Sequence, residues 1–166
     1  ERSNGEYFTA MIRGELSPEQ VAEEHAEFFT DPYVLVGLYL EWPTGVKADP
    51  ELIGQLLAGF ERNPRYTLHC VACPEELTRA ILYYRITENE DRQRISSMLK
   101  ELQSYVKMEY NAEMECCIGG KCVTMEEFDM GVTYLREHAG LRYLYGESAI
   151  VDLEERRTEA EVLRKL

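Results

Sequence analysis

The stretch ECCIGGKCVTMEEF, residues 115–128, carries the most reactive-looking side chains of this chain. It places Cys116, Cys117 and Cys122 around a glycine pair and a lysine. Such residues could form a metal site, a phosphate-binding loop or one strand of a fold. Zinc ligands must converge, as in two Cys-x-x-Cys pairs. Adjacent cysteines on a strand point to opposite faces, which favours buried cysteines that act as small apolar side chains.

The remaining nucleophile and ligand patterns are equally incomplete. The GGKC run lacks the G-x-x-x-x-G-K-[S/T] spacing of a phosphate loop. A metal cluster that recruited His69, Cys70 and Cys73 would be irregular, and the adjacency of His69 and Cys70 separates their side chains on a strand. We therefore expect no metal and no catalytic residue, and a strand that leaves the sheet sharply at its glycine pair.

Composition narrows the class of protein. The 166 residues are 45% hydrophobic and 30% charged, which is typical of a folded domain. The net charge of -13, from 18 Lys+Arg against 31 Asp+Glu, disfavours direct binding to nucleic acid or to an anionic membrane. No apolar run approaches the ~20 residues of a membrane span, and no signal peptide is visible. We expect a cytoplasmic domain with free thiols, cut from a longer protein because it begins at Glu1.

Hydrophobic periodicity and turn residues predict the order of elements. Helices are expected over 6–16 and 18–29, the second opened by a Ser17/Gln20 capping box. The apolar run YVLVGLYL, 33–40, is typical of a strand buried on both faces. The later elements are a helix over 50–62, a hairpin of 66–72 and 77–84 turning at CPEE (73–76), a helix over 91–110, a strand over 112–120, a helix over 125–144, a strand over 148–152 and a charged helix over 153–166. This ααβαββαβαβα order predicts an α/β (α+β) fold, a mixed sheet with helices packed on it.

That order and its landmarks resemble a degenerate diguanylate-cyclase (GGDEF-type) domain. The strand Met114–Gly119, ending Cys-Ile-Gly, resembles the Ser-Ile-Gly strand of that family. The run REHAGLRYLYGESAIVD, 136–152, is similar to its closing helix, glycine turn and last strand. The hairpin 66–84 occupies the place of the signature Gly-Gly-Asp/Glu-Glu-Phe turn. The resemblance implies a nucleotidyl-cyclase-like, ferredoxin-like mixed sheet.

A narrower resemblance concerns the two ends. The run YFTAMIRGELSPEQVAEE, 7–24, resembles the opening of the cyclase-like middle domain of AraC-type response regulators of Gram-positive bacteria. The run EERRTEAEVLRKL, 154–166, resembles the connector toward their DNA-binding end. This implies a helical lead-in (1–30), a degenerate GGDEF-like domain (31–152) and a connector helix (153–166). By its own residues the last helix is either a solvated surface helix or a signalling helix.

The departures from the cyclase pattern concern the residues that would bind nucleotide. The signature turn reads Cys73-Pro74-Glu75-Glu76-Leu77, without the glycines that let GTP approach the backbone. The first strand ends LYLEW, with Glu41 as its one carboxylate. Mg²⁺ requires several oxygen ligands, so we expect no cyclase activity and no resident cofactor. Glu41, Glu75 and Glu76 remain candidate ligand-binding residues.

The resemblance and the lost turn together imply a non-catalytic regulatory and signal-relay domain of a bacterial AraC-type transcriptional regulator. Its expected partners are the other domains of the same regulator and, in a homodimer, a second copy. The alternative is a sensor that binds a nucleotide or small molecule near Glu41, Glu75 and Glu76 without turning it over.

Overall fold

The computed structural model describes residues 2–47, 51–61, 70–76, 78–89, 91–140 and 149–154. The helices are α1 (Asn4–Ile12), α2 (Pro18–Glu24), α3 (Leu52–Glu61), α4 (Asp91–Tyr110) and α5 (Glu127–His138), with a short 3-10 helix at Ala26–Phe29. The strands are β1 (Tyr33–Glu41), β2 (Cys70–Glu76), β3 (Arg79–Arg85), β4 (Glu113–Cys122) and β5 (Ile150–Asp152). Leu153 and Glu154 are helical; the rest of the predicted terminal helix and residues 66–69 and 141–148 lie outside the described residues.

The five strands form one mixed sheet in the order β2-β3-β1-β4-β5. β1 is antiparallel to both β3 and β4, β2 is antiparallel to β3, and β5 runs parallel to β4. The β1-α3-β2 and β3-α4-β4 units are therefore interleaved, because β3 lies between β1 and β2 and β1 lies between β3 and β4. The predicted mixed sheet with helices is confirmed.

The central position of β1 agrees with its sequence. Val34 and Val36 are buried on one face of the sheet, and Tyr33 and Leu35 on the other. An apolar side chain at nearly every position is favourable only where both faces are covered. The predicted central strand is confirmed.

Each face of the sheet has its own apolar core. The first core lies under α3 and α4; its helical members are Leu52, Ile53, Ile95, Met98, Leu99, Leu102 and Val106. The second core lies under α1, α2, the 3-10 helix and α5; its helical members include Tyr7, Phe8, Met11, Val21, Phe28, Phe128, Val132 and Leu135. The sheet is thus sandwiched between two helical layers.

The N-terminal helices differ in length from the prediction. α1 ends at Ile12, because Gly14 adopts φ +75° and the N–H groups of Glu15 and Leu16 bond back to Ala10 O. The Ser17/Gln20 capping box is confirmed by bonds of 2.8 and 3.1 Å. The single helix predicted over 18–29 is wrong, because His25 adopts a non-helical conformation (φ -149°, ψ 71°) and separates α2 from the 3-10 helix.

The hairpin turn also differs from the prediction. Cys73 to Glu76 belong to β2, and β3 begins at Arg79, so the connection comes after Glu76. Pro74 is compatible with β2 because that strand lies at the edge of the sheet, where one row of backbone groups needs no ladder partner. The expectation that CPEE forms the turn is wrong.

The glycine pair does not end its strand. β4 continues to Cys122, and the register moves from Val36↔Ile118 to Val34↔Lys121, so β4 carries one extra residue at a β-bulge. A Cβ on Gly119 would lie 2.9 Å from Leu35 O. The bulge also turns Cys122 to the face that holds Cys117. The predicted sharp exit at Gly119–Gly120 is therefore a bulge inside a continuing strand.

The bulge predicts opposite results for its two glycines. Gly119→Ala forces a methyl group against the Leu35 carbonyl, and we expect a loss of about 1–3 kcal/mol in the free energy of unfolding. Gly120→Ala meets no atom within 4 Å and is expected to change that free energy by less than about 0.5 kcal/mol. Urea denaturation of both variants measures the difference; equal losses would contradict the bulge geometry.

Candidate functional site

The three predicted ligand-binding glutamates lie at one end of the sheet. Glu41 is the last residue of β1 and is exposed. The preceding residue, Leu40, donates its N–H to Thr78 O at 2.8 Å, which places the end of β1 beside the β2–β3 connection. Because β3 lies between β1 and β2, the backbones carrying Glu41 and Glu75 are separated by two strand spacings, roughly 10 Å. The structure brings these residues to the same end of the sheet, but it does not join them in one cluster.

Each glutamate at the end of β2 already has a cationic partner. Glu75 pairs with Arg136 of α5, the helix that packs on the second core. The Glu75 side chain is 17% exposed. Glu76 pairs with Arg79 of β3 at 2.6 Å in an exposed position. An anionic phosphate placed here would meet carboxylates, and a cation would have to displace the guanidinium groups. The geometry supports a strand end tied to its neighbours by ion pairs.

A metal ion has no obvious place among these groups. Glu41 lies opposite Glu113 in the β1–β4 ladder. The carboxylate that faces Glu41 across this ladder therefore belongs to β4, and not to β2, which carries Glu75 and Glu76. Within the described residues, no group of three or more His, Cys, Asp or Glu side chains is arranged to hold a metal ion. The arrangement gives Mg²⁺ too few oxygen ligands.

None of the five cysteines forms a disulfide bond; four are buried, and Cys70 is half-buried against the first core. Cys116 belongs to the first core and Cys117 to the second, as their adjacency on a strand requires. Burial raises the pKa of the Cys116 thiol well above its ordinary value. Burial, reinforced by the nearby Glu127 carboxylate, raises the pKa of Cys122 to about 11. Since the thiolate is the nucleophile, the thiols of Cys116 and Cys122 are unreactive at neutral pH.

A small cleft lies where the N-terminal helices meet β2 and β3. Its volume is about 80 Å³, and its lining residues are Asn4, His25, Glu27, Phe28, Cys70, Val71, Tyr83 and Arg85. The Tyr83 hydroxyl donates to Phe28 O at 2.6 Å, and Arg85 Nε donates to Asp31 Oδ2 at 2.6 Å. No local sequence pattern indicates this cleft, because its lining residues are far apart in the chain.

A second polar arrangement missed by sequence reasoning joins three parts of the fold through Arg92, near the start of α4. Arg92 Nε and Nη2 donate to the two carboxylate oxygens of Asp152 in β5, at 3.0 and 2.6 Å. Nη2 also donates to Gly119 O, inside the β4 bulge, at 2.8 Å. Nη1 lies 3.3 Å from Glu154 Oε2, an ion pair without an aligned hydrogen bond. We call Arg92, Gly119, Asp152 and Glu154 the Arg92 clamp.

The clamp left one weak signal in the sequence. Asp152 precedes the predicted charged helix, and an aspartate in that position is typical of a helix N-cap. In the structure, Glu154 N–H donates to Asp152 Oδ1 at 3.0 Å. Nothing local could indicate Arg92, which is 60 residues away.

No protein-family model matches the chain, and no curated protein matches it significantly. Among the described residues, no helix is long and apolar enough to cross a membrane.

Burial predicts a large spread in thiol reactivity. Cys70 is half-buried, whereas Cys116 and Cys117 are fully buried and Cys122 holds its proton at pH 8. We expect iodoacetamide at pH 8 to modify Cys70 at least about tenfold faster than those three, as measured by peptide mass spectrometry. In urea all five should react alike. Fast modification of Cys117 in the folded protein would contradict the assigned burial.

Proposed function

We propose that this chain is a non-catalytic relay domain of a bacterial AraC-type transcriptional regulator. In this proposal it is a degenerate, GGDEF-like module placed between an input domain and a DNA-binding domain. The proposed lead-in (1–30) faces the input side, and the proposed connector (153–166) leads to the output side. Its partners are the other domains of the regulator and a second copy of itself.

The sheet topology is compatible with this proposal. Two interleaved β-α-β units, with strands in the order β2-β3-β1-β4, form the arrangement expected of a ferredoxin-like sheet. The end of β1 and the β2–β3 connection lie side by side, which is compatible with a cyclase-like arrangement. Fold alone does not determine function, so the proposal depends on how the two ends of the chain are packed.

The observation that carries the proposal is the shared second core. Phe8 of α1 and Leu153, at the start of the terminal helix, are both buried in it, at 0% and 1% exposure. Phe128 of α5 is buried in the same core and contacts Phe8 edge to face, with ring centroids 6.1 Å apart. Because cores are close-packed, a shift of α1 must be accommodated by its neighbours. One apolar core therefore links α1, which precedes the sheet, to Leu153, which follows its last strand.

The residues Pro74, Glu75 and Glu76, which stand in place of the cyclase signature, support a role without turnover. Glu75 and Glu76 form ion pairs with Arg136 and Arg79, and Pro74 stands where the cyclase pattern has glycine. A site that positioned GTP would need backbone N–H donors and a bound divalent ion at this end of the sheet.

The alternative function, ligand sensing without turnover, is favoured by one feature, the cleft beside His25. Its aromatic, cationic and amide side chains are of the kinds that orient small ligands. At about 80 Å³ the cleft is far smaller than a typical site for a drug-sized ligand. We therefore place sensing second.

Solution mass distinguishes the two functions. For a relay domain we expect a dimer by light scattering whose mass and melting temperature do not change with GTP or cyclic di-GMP and Mg²⁺. A ligand that binds only the folded state raises its stability, by about 2.7 kcal/mol at a concentration of 100 Kd. Two control variants locate such a ligand: His25→Ala in the cleft, and the triple replacement of Glu41, Glu75 and Glu76 with Gln. A nucleotide-dependent mass or melting temperature that either control abolishes would favour the sensor over the relay domain.

Transmission through the second core is tested by comparing cavities on the two faces. Phe8→Leu is expected to cost roughly 1–3 kcal/mol and to shift the NMR signals of the Val151 and Leu153 methyl groups, since all three side chains share one core. The control is Leu99→Ala in the first core, which should perturb Ile95 and Ile118 instead. Unchanged Leu153 methyl signals in Phe8→Leu would contradict the relay route.

A further inference from the structure

Arg92 contacts three elements that are distant in the sequence. Its guanidinium reaches the β4 bulge at Gly119, the end of β5 at Asp152, and Glu154 beyond that strand. The pairing with Asp152 is a two-bond fork, the strongest geometry available to an arginine and a carboxylate. Both side chains are largely shielded, at 25% and 20% exposure, so solvent screens the pair less than a surface ion pair.

The start of α4 provides a fixed support for this arginine. The neighbouring Asp91 is fully buried, and its Oδ2 accepts hydrogen bonds from Thr87 N at 2.7 Å and from Glu88 N at 2.9 Å. The next turn of α4 is anchored by Ile95, buried at 0% exposure in the first core. Arg92 therefore extends from a helix end that is fixed on both sides.

The Asp152 carboxylate has two tasks at once. Its Oδ1 accepts from Arg92 Nη2 at 2.6 Å and from Glu154 N–H at 3.0 Å. Leu153 and Glu154 are helical, and the second bond has the geometry of an aspartate N-cap. Since the Arg92 fork fixes both carboxylate oxygens, it also fixes the orientation in which Asp152 can cap.

The bulge completes the arrangement. Gly119 cannot carry a side chain without meeting Leu35 O, and its own carbonyl accepts from Arg92. Gly119 in the GGKC run thus shapes β4 at the point where Arg92 reaches toward β5. This gives Gly119 a positioning role, in place of metal, phosphate or nucleophile chemistry.

We propose that Arg92 is the positioning residue that fixes the direction in which the chain leaves the sheet toward its C-terminal segment, by holding Asp152 in its capping orientation. The inference rests on the proposed relay function for its biological meaning. The second core would transmit a displacement to Leu153 on one face, and the clamp would set the angle of departure from the other. Loosening the clamp would uncouple the C-terminal segment while leaving the sheet intact.

The test measures individual amides of the 166-residue chain by NMR hydrogen exchange. In Arg92→Met, Asp152 remains present but loses its fork, and we expect the Glu154 amide to exchange about tenfold faster. The Cys116 amide, which bonds to Ala149 O, and the amides of β1 report on the sheet and should keep their rates. Asp152→Ala should accelerate the Glu154 amide at least as much.

Two further variants separate positioning from general stability. Arg79→Met removes an arginine of β3 that pairs with Glu76 in an exposed position, and should leave the Glu154 amide unchanged. Arg92→Lys keeps the charge but loses the fork, and should recover only part of the protection. The proposal is overturned if Glu154 exchange in Arg92→Met equals that of the wild type, or if every amide accelerates by the same factor.

The result is independent of the relay proposal, because it requires no partner domain or ligand. A clamp that governs the Glu154 amide in a protein whose Phe8→Leu variant leaves Leu153 unmoved would retain the positioning role and reject the relay route. Normal exchange in Arg92→Met, together with a shifted Leu153 in Phe8→Leu, would do the reverse.

Discussion

The burial of β1 on both faces is the constraint on which the rest of the structure depends. A strand that carries Tyr33, Val34, Leu35 and Val36 in succession has no polar face to present to water. It must have strands on both sides and helices above and below. The pairing of β1 with β3 and β4, and the division of the helices into two layers, are the consequences of that requirement.

The β4 bulge is the point at which this regular arrangement is modified. One extra residue changes which face the side chains occupy beyond Ile118, and it brings Cys122 into the second core with Cys117. The same irregularity places the Gly119 carbonyl within reach of Arg92. Through Arg92, this irregularity in the ladder connects β4 with α4 and with β5.

The charged residues are used mainly to fix elements to one another. Arg136 holds β2 to α5 through Glu75, and Arg92 holds α4 to β5 through Asp152. In a chain of net charge -13, arginines are scarce relative to acids, and these two are paired with largely shielded carboxylates. Such pairs add specificity to the arrangement of elements, while apolar burial supplies most of the stability.

Local signals made most of the fold predictable. The apolar run of β1, the capping box at Ser17 and the periodicity of α4 each depend on residues a few positions apart, and each appears where it was expected. Boundaries failed where a neighbour from another element decides them. The CPEE run is extended because β3 pairs with it, and GGKC continues as a strand because β1 pairs with it.

The candidate sites were less predictable from the sequence than the fold, because they depend on contacts between distant residues. The sequence indicated Glu41, Glu75 and Glu76 as candidate ligand-binding acids, but it did not indicate that arginines already pair with two of them. The cleft beside His25 and the Arg92 clamp could not be named at all. By itself the sequence determined that β1 would be central, that a mixed sheet with helices would form around it, and that a capping box would open α2. The tertiary structure alone decided which charges meet, because a pair separated by 60 residues, such as Arg92 and Asp152, is formed by the packing of α4 against the sheet and leaves no local pattern.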